Sequence, residues 1–198
     1  MTDTISYFGY GSLVNCDTRT PGSIVARGTL SGWVREWRIA GPTPRGGVCS
    51  LTVRPEAGTD IRGLMVREHS SGLAALDERE GRYDRVDLDE GSFCADPDAP
   101  AHDGRGFVYR ARSEHYRWGD ADHPILLSYV DCVLAGFYRH WGEAGVRHFI
   151  ETTHGWHVPI LDDREAPRYP RAVALGEDLL GLIDAALADA DVRWLVAA

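Results

Sequence analysis

The sequence has a shortage of basic residues and no long apolar run. Its 21 basic residues face 30 acidic ones, which gives a formal net charge of -9 and a pI near 5.3. Nucleic acids and anionic membranes are bound through clustered basic side chains, whereas the basic residues here are scattered. No stretch approaches the roughly 18 apolar residues of a membrane span. We therefore expect a small-molecule ligand, with neither nucleic acid nor a membrane as partner.

The sequence also lacks any C-x-x-C pair, which argues against a zinc ribbon and against a thioredoxin-like redox site. Residues 1–6 are polar and acidic and do not resemble an export signal, so we expect a cytoplasmic protein. An even number of cysteines can form disulfides, but reduced and mostly buried thiols are the expectation for this setting. The four cysteines are Cys16, Cys49, Cys94 and Cys132.

The first hundred or so residues are typical of short β-strands. Segments rich in Val, Ile, Trp, Phe and Tyr alternate with Gly, Pro, Asn and Asp clusters. Such closely spaced strands favour a barrel or a strongly curved sheet. The predicted strands are 5–8, 24–30, 33–39, 48–53, 61–66, 83–86 and 106–111.

Helices are predicted mainly in the second half of the chain. One helix at 70–80 interrupts the strands, with Ser70 or Ser71 as its N-cap and Gly81 at its end. Apolar residues at three- and four-residue spacing after Pro124 predict a second helix, followed by helices at 143–152 and 179–188. The pattern indicates an α+β fold in a single domain, 1–198, whose strand-rich body is closed by helices.

The first candidate motif is Tyr10-Gly11-Ser12-Leu13, where an apolar strand enters a glycine-containing turn. Glycine permits close approach, so consecutive backbone amides can point at one anionic group, although an ordinary turn would have the same pattern. A dinucleotide-binding fingerprint would need glycine in place of Val14. A hydrolase nucleophile elbow would need glycine in place of Tyr10 and Val14, so Ser12 is not predicted to be a nucleophile.

The second candidate motif is Leu76-Asp77-Glu78-Arg79-Glu80-Gly81, at the end of the predicted helix. Taken alone, this string is typical of a solvated, charged helix end. Its last glutamate, Glu80, would lie at a helix-to-strand junction. A functional interpretation therefore depends on what accompanies it.

Together the two motifs resemble those of the γ-glutamylcyclotransferase superfamily, which includes AIG2-like and ChaC-like branches. There, a strand ending in Y-G-S-L or a close variant forms the substrate cradle, and a helix-end glutamate in L-D-x-x-E-G supplies the catalyst. Segments 28–33 and 50–53 are similar to β segments of the ChaC-like branch, in the same order. The resemblance covers roughly residues 5–90.

The resemblance implies a strand-rich γ-glutamylcyclotransferase-like barrel or curved sheet with flanking helices and a C-terminal extension from about residue 155. It implies Glu80 as the acid/base catalyst and Tyr10-Gly11-Ser12-Leu13 as the substrate-binding turn. Tyr129 resembles the tyrosine that the superfamily places over the substrate, although its spacing also fits the buried helix stripe. In that superfamily the substrate's α-amine attacks its own γ-carbonyl to form 5-oxoproline, so no cofactor or metal is expected.

The sequence does not determine the leaving group. The ChaC-like segments favour glutathione, which releases Cys-Gly, and the glutamate motif also fits γ-glutamyl amines or γ-glutamyl amino acids. Two other classes of function fit the same residues. One is a binding protein without catalysis, and the other is an amide hydrolase in which Glu80 activates water.

Two clusters near the C-terminus have alternative interpretations. His154 and His157, with a glycine between them, do not match the spacing of a helical zinc site, and we expect them to pack a flap near the pocket or simply cap the structure. The segments 162–164 and 168–171 combine Asp, Arg and Tyr. They are predicted either to form surface ion pairs or to hold a substrate carboxylate through an arginine fork.

Overall fold

A seven-stranded mixed sheet is the centre of the structure, a computed structural model that describes residues 3–195. The strands are β1 Thr4–Gly9, β2 Ile24–Thr43, β3 Gly46–His69, β4 Tyr83–Asp87, β5 Phe93–Ala95, β6 Phe107–Ala111, β7 Ile125–Leu126, β8 Thr153–His154, β9 Ile160–Leu161 and β10 Trp194–Leu195. The main sheet has the order β4-β6-β1-β3-β2-β5, and β8 pairs with β2. Of the two predicted forms, the structure has the sheet, and it is not a closed barrel.

A long hairpin of β2 and β3 dominates this sheet, with 20 and 24 residues in its two strands. Each strand merges two predicted ones, so the predicted breaks are wrong. The break predicted near Gly32 is a register shift between Ser31 and Trp33, where Gly32 has a φ of 79°. A glycine with positive φ can occupy a β-bulge as well as a turn, and a bulge bends the strand without ending it. The three-residue strand β5 was not predicted, because it is too short to show alternation.

The helix predicted at 70–80 is present as a 3-10 turn, Ser70–Gly72, followed by α1, Leu73–Arg79. The predicted serine cap is wrong, because the side chain of His69 accepts a hydrogen bond from the Ser71 backbone instead. Glu80 is the C-cap residue, and its backbone N–H donates to the Leu76 carbonyl at 2.9 Å. The helix therefore ends with Glu80 as its cap, and Gly81 and Arg82 connect it to β4.

Two of the later predicted helices form one long helix, α2, Leu127–Glu151, which is kinked at Gly142 (φ 59°). The last predicted helix is α3, Glu177–Asp189, which packs on α2. The core includes side chains from both halves of the chain, such as Phe8, Trp37, Phe137 and Ile183. No helix within residues 3–195 is long and apolar enough to cross a membrane.

Candidate active site

Glu80 lies where α1 ends, with 17% of its side chain exposed. Burial raises the pKa of its carboxyl group above the usual value, while the positive charges of Arg79 and Arg171 act in the opposite direction without cancelling it. The Arg79 Nε lies 3.1 Å from Glu80 Oε1. A carboxyl group whose pKa is raised by burial can both accept and return a proton, as an acid/base catalyst must.

The turn at residues 10–13 follows the end of β1 and opens a short 3-10 helix, Ser12–Val14. Within the described residues, the backbone N–H groups of Gly11, Ser12 and Leu13 donate no hydrogen bond, as expected for the first turn of a helix. A Cβ atom on Gly11 would lie 3.0 Å from the hydroxyl oxygen of Tyr129. The glycine therefore lets the turn approach α2 closely.

Tyr129 projects from α2 toward this turn. Its ring packs edge-to-face with Trp37 at 5.7 Å and tilted against Tyr169 at 4.8 Å, measured between ring centroids. Burial raises its pKa, so the hydroxyl keeps its proton at neutral pH. No described residue accepts or donates a hydrogen bond to this hydroxyl, whereas Tyr10 donates to the Tyr109 carbonyl at 2.8 Å. Tyr129 is thus an unused donor beside Glu80.

These predicted residues meet around one small cavity of about 40 Å³, which we call the inner cavity. The predicted residues come from three distant segments: the end of β1, the end of α1 and the first turn of α2. The lining of the inner cavity includes all the predicted site residues: Tyr10, Gly11, Ser12, Leu13, Glu80 and Tyr129. Phe8, Leu51, Tyr83 and Tyr109 complete the lining.

A larger cavity of about 550 Å³, the outer cavity, shares Ser12, Glu80 and Tyr129 with the inner one. Its other walls include the β2–β3 turn, at residues 42–45, and the C-terminal segment 168–171. The wall at 42–45 was not predicted, because a Pro-Thr-Pro-Arg turn has no pattern that distinguishes a binding loop from a hairpin end.

Comparison with solved structures identifies the fold. A protein named gamma-glutamyl cyclotransferase superimposes with a TM-score of 0.59 at 14% identity, over 92% of this chain and 99% of that one. The chain has a γ-glutamylcyclotransferase-like fold. The uncharacterized protein loc79017 from Homo sapiens matches with a TM-score of 0.56 at 15% identity, over 92% and 99% of the two chains. YkqA from Bacillus subtilis matches with a TM-score of 0.52 at 18% identity, over 77% of this chain and 56% of the YkqA chain.

At these identities the structural likeness shows the fold alone. No protein-family model and no curated protein matches the sequence. The assignment of roles within the γ-glutamylcyclotransferase-like fold therefore depends on the geometry of this chain's own residues.

The two charged clusters near the C-terminus, 162–164 and 168–171, differ in their contacts. Arg164 forms a bidentate pair with Asp131, with both N–O distances 2.8 Å, and a second ion pair with Asp184. Asp163 is buried and accepts hydrogen bonds from the backbone N–H and hydroxyl of Ser128 at the start of α2. Ion pairing thus accounts for Arg164. It does not account for Arg168, which lines the outer cavity.

The histidines of this region are placed outside both cavity linings. His157 packs edge-to-face on Trp118 at 4.8 Å, and His148 Nε2 accepts a hydrogen bond from the Arg62 backbone at 3.0 Å. Within residues 3–195, no group of three His, Cys, Asp or Glu side chains is arranged to hold a metal. The four cysteines are free thiols, of which Cys49 and Cys132 are buried, Cys16 is half-buried and Cys94 is exposed. The prediction of mostly buried thiols therefore holds for only two of the four.

Proposed function

We propose that this protein is a γ-glutamylcyclotransferase, which converts a small γ-glutamyl compound into 5-oxoproline and a free amine. The observation that carries the proposal is the meeting of Glu80, the 10–13 turn and Tyr129 around one inner cavity. Each part is ordinary by itself. Because they come together from three separate segments, they support the presence of a single substrate-binding site.

In the proposed reaction the substrate's α-amine attacks its own γ-carbonyl carbon. A C–N bond forms to close the five-membered lactam, and the C–N bond to the leaving amine breaks. Since the nucleophile belongs to the substrate, the protein needs to hold a reactive rotamer, move protons and stabilise the developing oxyanion. No side chain has to form a covalent bond.

Glu80 carries the proton transfers in this proposal. Its carboxylate takes a proton from the substrate's α-ammonium, and the resulting acid returns one to the leaving nitrogen. The ring nitrogen loses a second proton as the lactam forms, and the released amine takes up that proton to become an ammonium. The raised pKa of Glu80 supports this dual use, because a carboxylate with a higher pKa is a stronger base toward the α-ammonium, and its acid form can still donate to the leaving nitrogen. Glu80 ends the cycle in the carboxylate form in which it began.

The free hydrogen-bond donors around the inner cavity suit two negatively charged groups of the reacting substrate. The unpaired N–H groups of Gly11, Ser12 and Leu13 suit the α-carboxylate of the γ-glutamyl group. The free hydroxyl of Tyr129 suits the oxyanion that develops on the γ-carbonyl, since it is protonated and lacks a competing partner.

Product identification by mass spectrometry tests the proposal. The full chain is incubated with glutathione, γ-glutamyl amino acids and γ-glutamyl amines. We expect 5-oxoproline and an equal amount of the released amine. Free glutamate would instead indicate an amide hydrolase. Stabilisation against heat by these compounds without any product would indicate a non-catalytic binding protein.

A further inference from the structure

The outer cavity has an unusual charge for this protein. The chain contains no lysine and carries a net charge of -9, so its cations are arginines in an acidic background. Two acidic residues, Glu78 and Glu80, line the outer cavity, and five arginines face them. The five are Arg45, Arg79, Arg82, Arg168 and Arg171.

Among the described residues, four of these guanidinium groups have no acidic partner. Arg79 pairs with Glu80, whereas within residues 3–195 no carboxylate lies within 4.0 Å of the other four. Arginine stays cationic and presents a fork of N–H donors that matches a carboxylate. A cavity lined in this way is therefore suited to an anion.

Hydrogen bonds hold Arg168 in position against the β2–β3 turn. Its Nε donates to the Arg45 carbonyl at 2.8 Å and one of its terminal nitrogens donates to the Gly47 carbonyl at 3.1 Å. Its backbone N–H donates to the buried carboxylate of Asp163 at 2.8 Å. The guanidinium has five N–H donors, so several remain for a ligand.

The hairpin also leaves space for these side chains. A Cβ on Gly46 would lie 2.1 Å from a terminal nitrogen of Arg168, and Gly46 has a φ of 106°, which only glycine adopts easily. A Cβ on Gly41 would lie 2.7 Å from a terminal nitrogen of Arg82. Any larger residue at either position would have to displace an arginine.

We propose that Arg168, with Arg45 and Arg82, forms a subsite for a carboxylate carried by the leaving group. This inference rests on the proposed function, since it needs the γ-glutamyl group to occupy the inner cavity beside Glu80. The leaving group then extends into the outer cavity, which is the larger of the two and shares Ser12, Glu80 and Tyr129 with the inner one. The preferred substrates are γ-glutamyl amino acids or peptides, and not γ-glutamyl amines.

A matched pair of substrates tests the subsite. γ-Glutamyl-alanine and γ-glutamyl-ethylamide differ only in the carboxylate of the leaving group. For the unaltered chain we expect kcat/KM to be at least about tenfold higher for γ-glutamyl-alanine, the scale of one hydrogen bond to a charged group. The difference should appear mainly in KM. Equal values for the two substrates would overturn the subsite while leaving the cyclotransferase proposal intact.

Two variants locate the effect. Arg168→Gln should reduce the alanine-to-ethylamide ratio of kcat/KM toward one, and Arg168→Lys should retain part of it. Arg45→Gln provides a second measurement that does not remove the hydrogen bonds that Arg168 donates to the hairpin. Arg147, exposed on α2 and outside the outer cavity, is the control, and Arg147→Gln should leave the ratio unchanged. A ratio unaffected by both Arg168→Gln and Arg45→Gln would overturn the assignment of these residues.

Binding measurements keep the test informative if neither substrate is turned over. The absence of turnover contradicts the proposed function and not the subsite. Titration calorimetry of the same two compounds then compares their Kd values directly. Tighter binding of γ-glutamyl-alanine supports the subsite, and equal binding overturns it.

Discussion

The inner and outer cavities are built from different kinds of structure. The inner cavity lies between the ends of β1 and α1 and the start of α2, and buried side chains such as Phe8, Tyr10 and Leu13 line it. The outer cavity also has strand and helix-end residues in its lining, but its outer walls are a hairpin turn and an irregular segment, where Pro44, Arg45 and Pro170 are exposed.

This difference separates two tasks that an active site has to perform. Groups on packed, regular elements keep their positions, which suits proton transfer and oxyanion stabilisation. Exposed loops tolerate substitution, which suits selection among leaving groups. In this protein the two surfaces meet at Glu80, which lines both.

The strongest test of the inner cavity is Glu80→Gln. The amide keeps the shape of the carboxylate but cannot accept the substrate's proton, so we expect at least about a 100-fold loss of kcat. Substrate binding and the thermal unfolding midpoint should change little. Glu143→Gln, at an exposed position on α2, is the matched control. A Glu80→Gln protein that retained most of its activity would remove Glu80 from the mechanism.

Gly11→Ala tests the close approach within the inner cavity. The new methyl group would lie 3.0 Å from the Tyr129 hydroxyl, so we expect a stability loss of about 1 kcal/mol and a higher KM. Tyr129→Phe removes that oxygen. Gly11→Ala should therefore cost less stability in the Tyr129→Phe protein than in the unaltered chain. Urea unfolding of the two single variants and the double variant measures the coupling between these positions. Strictly additive losses would show that the hydroxyl does not restrict residue 11.

Arg171→Gln tests the link between the two cavities and has the smallest expected effect. The positive charge of Arg171 lowers the pKa of Glu80, against the larger effect of burial, which raises it. Removing the charge therefore raises the pKa of Glu80 further. The acidic limb of the kcat/KM profile, which reports the free enzyme, should move to higher pH. Arg147→Gln is again the control, and a limb that does not move, or moves to lower pH, contradicts this electrostatic link.

Much of the inner cavity was predictable from sequence because its residues lie in short local patterns. The strand that ends at Tyr10-Gly11-Ser12-Leu13 and the helix that ends at Glu80 each have their own signals within about ten residues. The predicted positions of β1 and α1 match the structure closely. That Glu80 and the turn share one cavity could be anticipated from the family resemblance, and not from either pattern alone.

The outer cavity was much less predictable. Arg168 and Arg171 were recognised as a cluster, but surface ion pairing and carboxylate binding have the same sequence pattern. Arg45 and Arg82 had no signal at all, since a single arginine in a turn or after a helix is typical of any surface. Only the path of the long hairpin brings Arg45 to residues more than 120 positions away.

The sequence by itself determined the α+β composition, the strand before the turn, the helix that ends at Glu80 and the apolar faces of α2 and α3. These features depend on local periodicity and on turn residues, which act over a few positions. The tertiary structure decided that β2 and β3 run on as one open hairpin, that the Tyr129 hydroxyl has no partner among residues 3–195, and that five arginines line one cavity. Those features depend on which distant surfaces pack together, and the desolvation of Glu80 and the charge around it follow from that packing.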